Sequence, residues 1–92
     1  MIYIVMSQTV AWGAGKTKQE AIAEASQWLC DENGVQGITV EQVEKMLISE
    51  HESRNGADGV FIGEVEAEWS DEIEQMDGDQ LAVMYIDSQD EE

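Results

Sequence analysis

Apolar positions recur along this chain in two rhythms, and the switches between them mark its elements. Ile2, Ile4 and Met6 alternate with Tyr3, Val5 and Ser7. Both sets are mostly apolar, which predicts a strand buried on both faces and therefore central. Val10 and Trp12 are expected to continue it past a bend, with Gly13 and Gly15 supplying a turn. The spacing then becomes helical. Thr17 with Glu20 forms a capping box, and Ala21, Ile22, Ala25, Trp28 and Leu29 fall on one helix face as far as about Glu32. Asn33-Gly34 is expected to stop that helix. Thr39 with Gln42 opens a second helix to about Glu50, with Val40, Val43, Met46 and Leu47 inward. Ser53 to Gly59 reads as a loop.

Period two returns from Gly59 to Trp69. Phe61, Val65, Ala67 and Trp69, with Gly63 among them, fall on one face; Val60, Ile62, Glu64, Glu66 and Glu68 fall on the other. Ser70 reads as an N-cap for a short helix carrying Asp71, Glu72 and Glu74 in its first turn, with Ile73 and Met76 tucked inward. Asp77-Gly78 is a turn signal, and Leu81 to Asp87 reads as a last apolar strand. The expected architecture is α+β: a small antiparallel three-stranded sheet with two helices packed on one face, in the order β-α-α-β-(short α)-β. Residues 1–87 form a single domain, and Ser88 to Glu92 are a flexible acidic tail.

Charge changes the picture. The chain of 92 residues carries four bases and twenty-one acids, a net charge of −17. Four bases and eight acids precede Asn55; no base and thirteen acids follow it. Such a field repels DNA, RNA and anionic membranes and steers basic surfaces inward. Lys16, Lys18, Lys45 and Arg54 are too few and scattered for a nucleic-acid footprint, so direct nucleic-acid binding is disfavoured. Disorder is disfavoured by an apolar content of 42% and three Trp. The opening run MIYIVMSQTVAW lacks a basic leader and is too short to span a bilayer, and a lone Cys30 excludes an internal disulfide. A cytoplasmic protein, monomer or homodimer, is expected, with Cys30 as a small apolar filler.

Three stretches approach known chemical motifs and each departs from its pattern. Gly15-Lys16-Thr17 follows a strand and opens a helix, as a phosphate-binding loop does, but the pattern asks for Gly where Val10 stands. His51-Glu52 begins like a zinc-protease helix, but the second histidine position holds Asn55. Asp77-Gly78-Asp79 lacks the ligand spacing of a calcium loop. No catalytic residue, metal site or cofactor is assigned. What remains is Glu64–Asp79, EVEAEWSDEIEQMDGD, with eight carboxylates and no base. On a strand, Glu64, Glu66 and Glu68 would stand about 6.8 Å apart, about two axial steps of a nucleic-acid strand at roughly 3.4 Å per phosphate. With Asp71, Glu72, Glu74, Asp77 and Asp79 they form the candidate partner-binding rim; the same row also serves as a charged edge against aggregation.

In size, in its lack of enzyme motifs and in this acid-only stretch, the chain resembles the small acidic proteins that phages use against host defences, including DNA-mimic anti-CRISPR proteins and restriction inhibitors. The resemblance implies a non-catalytic inhibitor in the cytoplasm of a bacterial host. Its partner would be the basic surface of a nucleic-acid-binding protein or CRISPR surveillance complex. The strand–turn–helix KTKQEAIAEA (Lys16 to Ala25) is similar to the helix entry of some small antitoxins. That implies the alternative, a regulatory interaction protein such as a toxin-neutralising antitoxin or phage accessory protein.

Overall fold

The first strand, β1 (Ile2–Ser7), takes the central place that its two apolar faces predict. The structure, a computed structural model, describes residues 1–7 and 10–89. β1 pairs antiparallel with β2 (Val10–Gly15) on one side and β3 (Phe61–Val65) on the other, in the order β2-β1-β3. Side chains alternate across the pleat. Ile2, Ile4 and Met6 enter one apolar cluster and Val5 the other, and all four are fully buried.

The fold is thus α+β with a three-stranded antiparallel sheet, as expected, but the third strand comes from elsewhere in the chain. Val10–Gly15 does not extend β1; it folds back against it, with Trp12 as an extra residue where the register shifts between Val5 and Met6. The Trp12 indole Nε1 donates to Ser7 Oγ at 2.8 Å. Gly13 lies within the strand, and its missing side chain admits a helix. A Cβ there would lie 2.4 Å from the Ala25 backbone nitrogen.

That helix, α1 (Lys18–Trp28), is capped by Thr17, whose hydroxyl accepts the Glu20 N–H. Ala21, Ile22, Ala25 and Leu29 are buried as predicted, whereas Trp28 is 52% exposed. The close approach at Gly13 admits only small side chains at the contact, which leaves the indole outside. α1 stops short of Glu32. The Gly37 and Ile38 N–H groups take the Leu29 and Ser26 carbonyls, and the Asp31 carboxylate takes the Asn33 and Val35 N–H groups. Side-chain acceptors of this kind compete with the helix for its donors. Asn33-Gly34 therefore belongs to a tight turn that pairs Cys30 with Gln36, and Cys30 is exposed rather than a core filler.

α2 (Val40–Met46) has the expected Thr39–Gln42 capping box. It ends early because Val60 claims its neighbours: Val60 N–H donates to Met46 O and Val60 O accepts from Ile48 N–H. A short α3 (Glu50–Arg54), capped by Ser49, occupies what spacing alone makes a helix end and loop.

The main correction concerns Leu81 to Asp87, expected as a strand. It lies within a helix, α5 (Gly78–Gln89), which follows the short α4 (Asp71–Glu74). Asp77 Oδ1 accepts the Gln80 N–H at 2.9 Å and Gln80 Oε1 accepts the Asp77 N–H at 3.1 Å, so the apparent turn signal is a capping box. Leu81, Ala82 and Tyr85 are buried at i, i+1 and i+4, and Leu, Ala and Met are strong helix formers. α1 and α2 cover the Val5 face of the sheet, as expected; α5 covers the opposite face, which was expected to lack a long helix. Ser88 and Gln89, placed by sequence in the acidic tail, complete α5; the rest of that tail, 90–92, lies outside the described residues.

Tyr85 ties α5 to the sheet. Its ring occupies the space of an absent side chain: a Cβ on Gly63 would lie 2.4 Å from Tyr85 Cε1. Phe61 packs beside it, ring centroids 6.0 Å apart and tilted by 56°. The phenol is pushed up to about 12, first by burial and then by its hydrogen bond to the Glu50 carboxylate, which Arg54 Nη2 also meets at 2.7 Å.

Gly63→Val should lower stability by about 2–3 kcal/mol, because the Tyr85 ring has no free space to enter; chemical denaturation checks this. A phenol whose pKa is raised by folding stabilises the fold fully below its unfolded value. That contribution is lost as pH rises from about 10 towards about 12. The alkaline loss of stability should therefore be shallower in Tyr85→Phe than in the parent protein, as read from denaturant midpoints across that range.

Candidate functional site

The acidic segment begins on a strand and leaves it almost at once. β3 ends at Val65, where the Ala67 N–H turns back to the Val65 carbonyl at 2.9 Å. Of the three expected rungs only Glu64 stands on the strand. The even spacing predicted for Glu64, Glu66 and Glu68 is a property of extended, paired backbone, so it does not carry past Val65.

The three carboxylates do share exposure, and the inward residues between them are buried or half-buried. Val65, Ala67 and Trp69 pack against the Ile2–Ile4–Met6 cluster while Glu66 and Glu68 stand out in solvent. Glu64 differs from them in its surroundings. It pairs in register with Tyr3, and Lys18 Nζ lies 4.0 Å from its Oε1 and 5.9 Å from the centre of the Tyr3 ring. One of the four bases of the chain therefore sits against the first rung.

Beyond Val65 the chain crosses from β3, at one edge of the sheet, to the flank of β2 at the other, where Trp69 arrives beside Ala11–Ala14. Ser70 takes the N-cap position of α4, though its side chain makes no capping bond. Ile73 is buried and fixes this turn, leaving Asp71, Glu72 and Glu74 outward; Asp77 and Asp79 open α5. All eight predicted carboxylates are exposed.

The structure also brings together residues that no sequence motif joined. A groove of about 670 Å³ is lined by Ala11–Ala14 of β2, Glu24 and Trp28 of α1, and Trp69, Ile73, Met76 and Leu81. Trp12, Trp28 and Trp69, all three tryptophans of the chain, line it. Glu24, Glu74 and Asp77 stand among the lining residues, which include no Lys or Arg. Two of the predicted carboxylates thus belong to this groove and Glu24 joins them. The available signal was Trp28, one helical turn after Glu24, whose carboxylate accepts its indole N–H at 3.3 Å.

Other candidate chemistry meets specific obstacles. Glu20 Oε2 accepts the Lys16 N–H at 3.0 Å, so an amide that a phosphate loop would need is already occupied by a carboxylate. His51 lies exposed on α3 beside Asn55. Among the described residues no three His, Cys, Asp or Glu side chains converge as a metal site. No helix there is long and apolar enough to cross a membrane. Comparison with known protein families, curated proteins and solved structures found no match for this chain. The arrangement itself offers carboxylates that accept from guanidinium and ammonium groups, and indole faces that receive apolar or cationic side chains.

Asp77 links the acidic segment to the fold. Asp77→Ala should cost about 1 kcal/mol through loss of the α5 cap, whereas Asp77→Asn should retain most of it. Thermal melts followed by circular dichroism distinguish the two.

Proposed function

We propose that this protein is a non-catalytic acidic binding protein that occupies a basic, nucleic-acid-binding surface of a host defence complex in a bacterial cell. One observation carries the reading. Eight carboxylates between Glu64 and Asp79 are exposed, with no base among them, on backbone held by the buried Val65 and Ile73. Ordered carboxylates present fixed negative charge with little entropy left to lose on binding, which favours them over a disordered acidic tail. A net charge of −17 attracts a basic groove over distance and repels the nucleic acid that would compete for it. The contacting set is Glu66, Glu68, Asp71, Glu72, Glu74, Asp77 and Asp79, with Glu64 at its margin, partly offset by Lys18.

A second reading is favoured by the tryptophan groove: a regulatory interaction protein, of antitoxin or phage-accessory type, that works through apolar contact. The two differ in salt dependence. Charge-led binding weakens steeply as salt rises, and apolar binding does not.

The test is capture of partners from bacterial lysate on the immobilised protein, followed by affinity measurement on the captured partner. Glu66→Lys, Glu68→Lys and Glu72→Lys together should weaken binding by more than about tenfold and flatten its salt dependence. Unchanged affinity in this triple variant would overturn the electrostatic reading.

A further inference from the structure

The groove gathers the three tryptophans where the two apolar clusters meet, Trp12 packing on the Val5 cluster and Trp69 and Met76 on the Ile4 cluster. Ala11, Gly13 and Gly15 of β2 are buried, the two glycines against the backbone of α1, so side chains supply what a ligand would meet. Two of the indoles are fixed at their polar edge. Trp12 Nε1 donates to Ser7 Oγ at 2.8 Å and Trp28 Nε1 to Glu24 Oε1 at 3.3 Å. With those N–H donors engaged, the ring faces remain for contact. Trp28 is 52% exposed, so its ring is not part of the core. Glu24, Glu74 and Asp77 stand beside these rings, and no Lys or Arg lines the groove. Neither ion pair among the described residues involves these three carboxylates. The groove therefore combines aromatic faces and apolar surface with negative charge that no base offsets. Its volume of about 670 Å³ falls within the range of small-molecule sites, roughly 300–1,000 Å³.

We propose that this groove binds a small organic cation, an aryl or alkyl body joined to a quaternary or protonated amine. Indole faces attract a cation through the ring quadrupole, and Ile73, Met76 and Leu81 receive the apolar body. Charge on Glu24, Glu74 and Asp77 adds an attraction that a neutral or anionic ligand of the same shape lacks. The same features disfavour other occupants. A nucleotide or other anion is repelled by a net charge of −17. A bare metal ion finds no three converging ligands among the described residues. A second copy of the chain would bring another −17 to a groove already acidic. A polyamine without apolar surface gains nothing here over the rest of the acidic surface. The inference goes beyond the two protein-binding readings above and requires neither, since a small ligand fills the groove and no macromolecule need cover it.

The experiment titrates the full chain with naphthylmethyl-trimethylammonium, naphthalenesulfonate, spermine and N-acetylarginine amide. Indole N–H and backbone amide resonances are followed by NMR in about 0.5 M salt, where screening confines charge effects to ~4 Å. The aryl ammonium should saturate as a single site and shift the indole signals of Trp12, Trp28 and Trp69. It should bind at least about tenfold more tightly than the sulfonate or spermine. Trp28→Ala, at an exposed side chain that the core does not need, should weaken it by about fivefold or more. Glu24→Gln should weaken it by about threefold, because a glutamine oxygen can still accept the Trp28 N–H and only the charge is lost. The control Glu41→Gln, Glu44→Gln removes two exposed charges of α2 outside the groove and should leave binding within about 1.5-fold. Equal binding of the sulfonate, or no saturable binding of the aryl ammonium, would overturn the assignment of a cation. Indifference to Trp28→Ala, or equal losses in the Glu24 variant and the control, would disperse the cation over the acidic surface and overturn the site. Tighter binding of N-acetylarginine amide than of the aryl ammonium would give the groove to a partner's side chain and overturn a small-molecule ligand.

Discussion

Burial of β1 on both faces is the constraint on which the rest of the structure depends. Ile2, Ile4, Val5 and Met6 have no accessible surface, and their burial is worth on the order of 8 kcal/mol, comparable with the roughly 5–15 kcal/mol net stability of a whole domain. A strand of this kind needs a neighbour on each edge and a layer on each face. β2 and β3 supply the edges, α1 and α2 one face, and α5 with Ile73 the other. Glycine decides how closely those layers approach: Gly13 seats the backbone of α1 and Gly63 seats the ring of Tyr85.

The charge of the chain is distributed around that core without entering it. No buried side-chain polar atom among the described residues lacks a partner, and the exposed carboxylates lie on elements pinned from beneath by apolar residues. Self-repulsion opposes a compact state with a net charge of −17. Lys18 against Glu64 and Arg54 against Glu50 offset part of it at the two ends of β3 and α3. The acid-only segment from Glu66 onward has no such neutralisation among the described ion pairs, which is why it, and not Glu64, is the stronger candidate for meeting a basic surface.

The carboxylate rim and the tryptophan groove meet at Glu74 and Asp77. Their physics is complementary. Exposed carboxylates act at a distance and lose strength with salt, whereas a groove lined by indole rings acts only on contact and gains from excluding water.

Much of this was legible in the residues themselves. The two-faced apolar run of β1, the caps at Thr17 and Thr39, the exposure of the eight carboxylates and the anchoring role of Ile73 follow from periodicity and hydrogen-bonding capacity, which are local properties. Other features follow from contacts between distant parts of the chain. Leu81 to Asp87 has an apolar run that suits a buried strand or a helix equally; the Asp77–Gln80 cap and the waiting face of β1 make it α5. Val60 takes the backbone groups that would have continued α2. The ladder expected of Glu64, Glu66 and Glu68 stops because the chain leaves the sheet to carry Trp69 across it. Sequence by itself determined which residues seek water and which avoid it. Tertiary structure alone decided which strands flank β1 and that the three tryptophans meet in one groove, because pairing across the sheet joins residues that no local pattern relates.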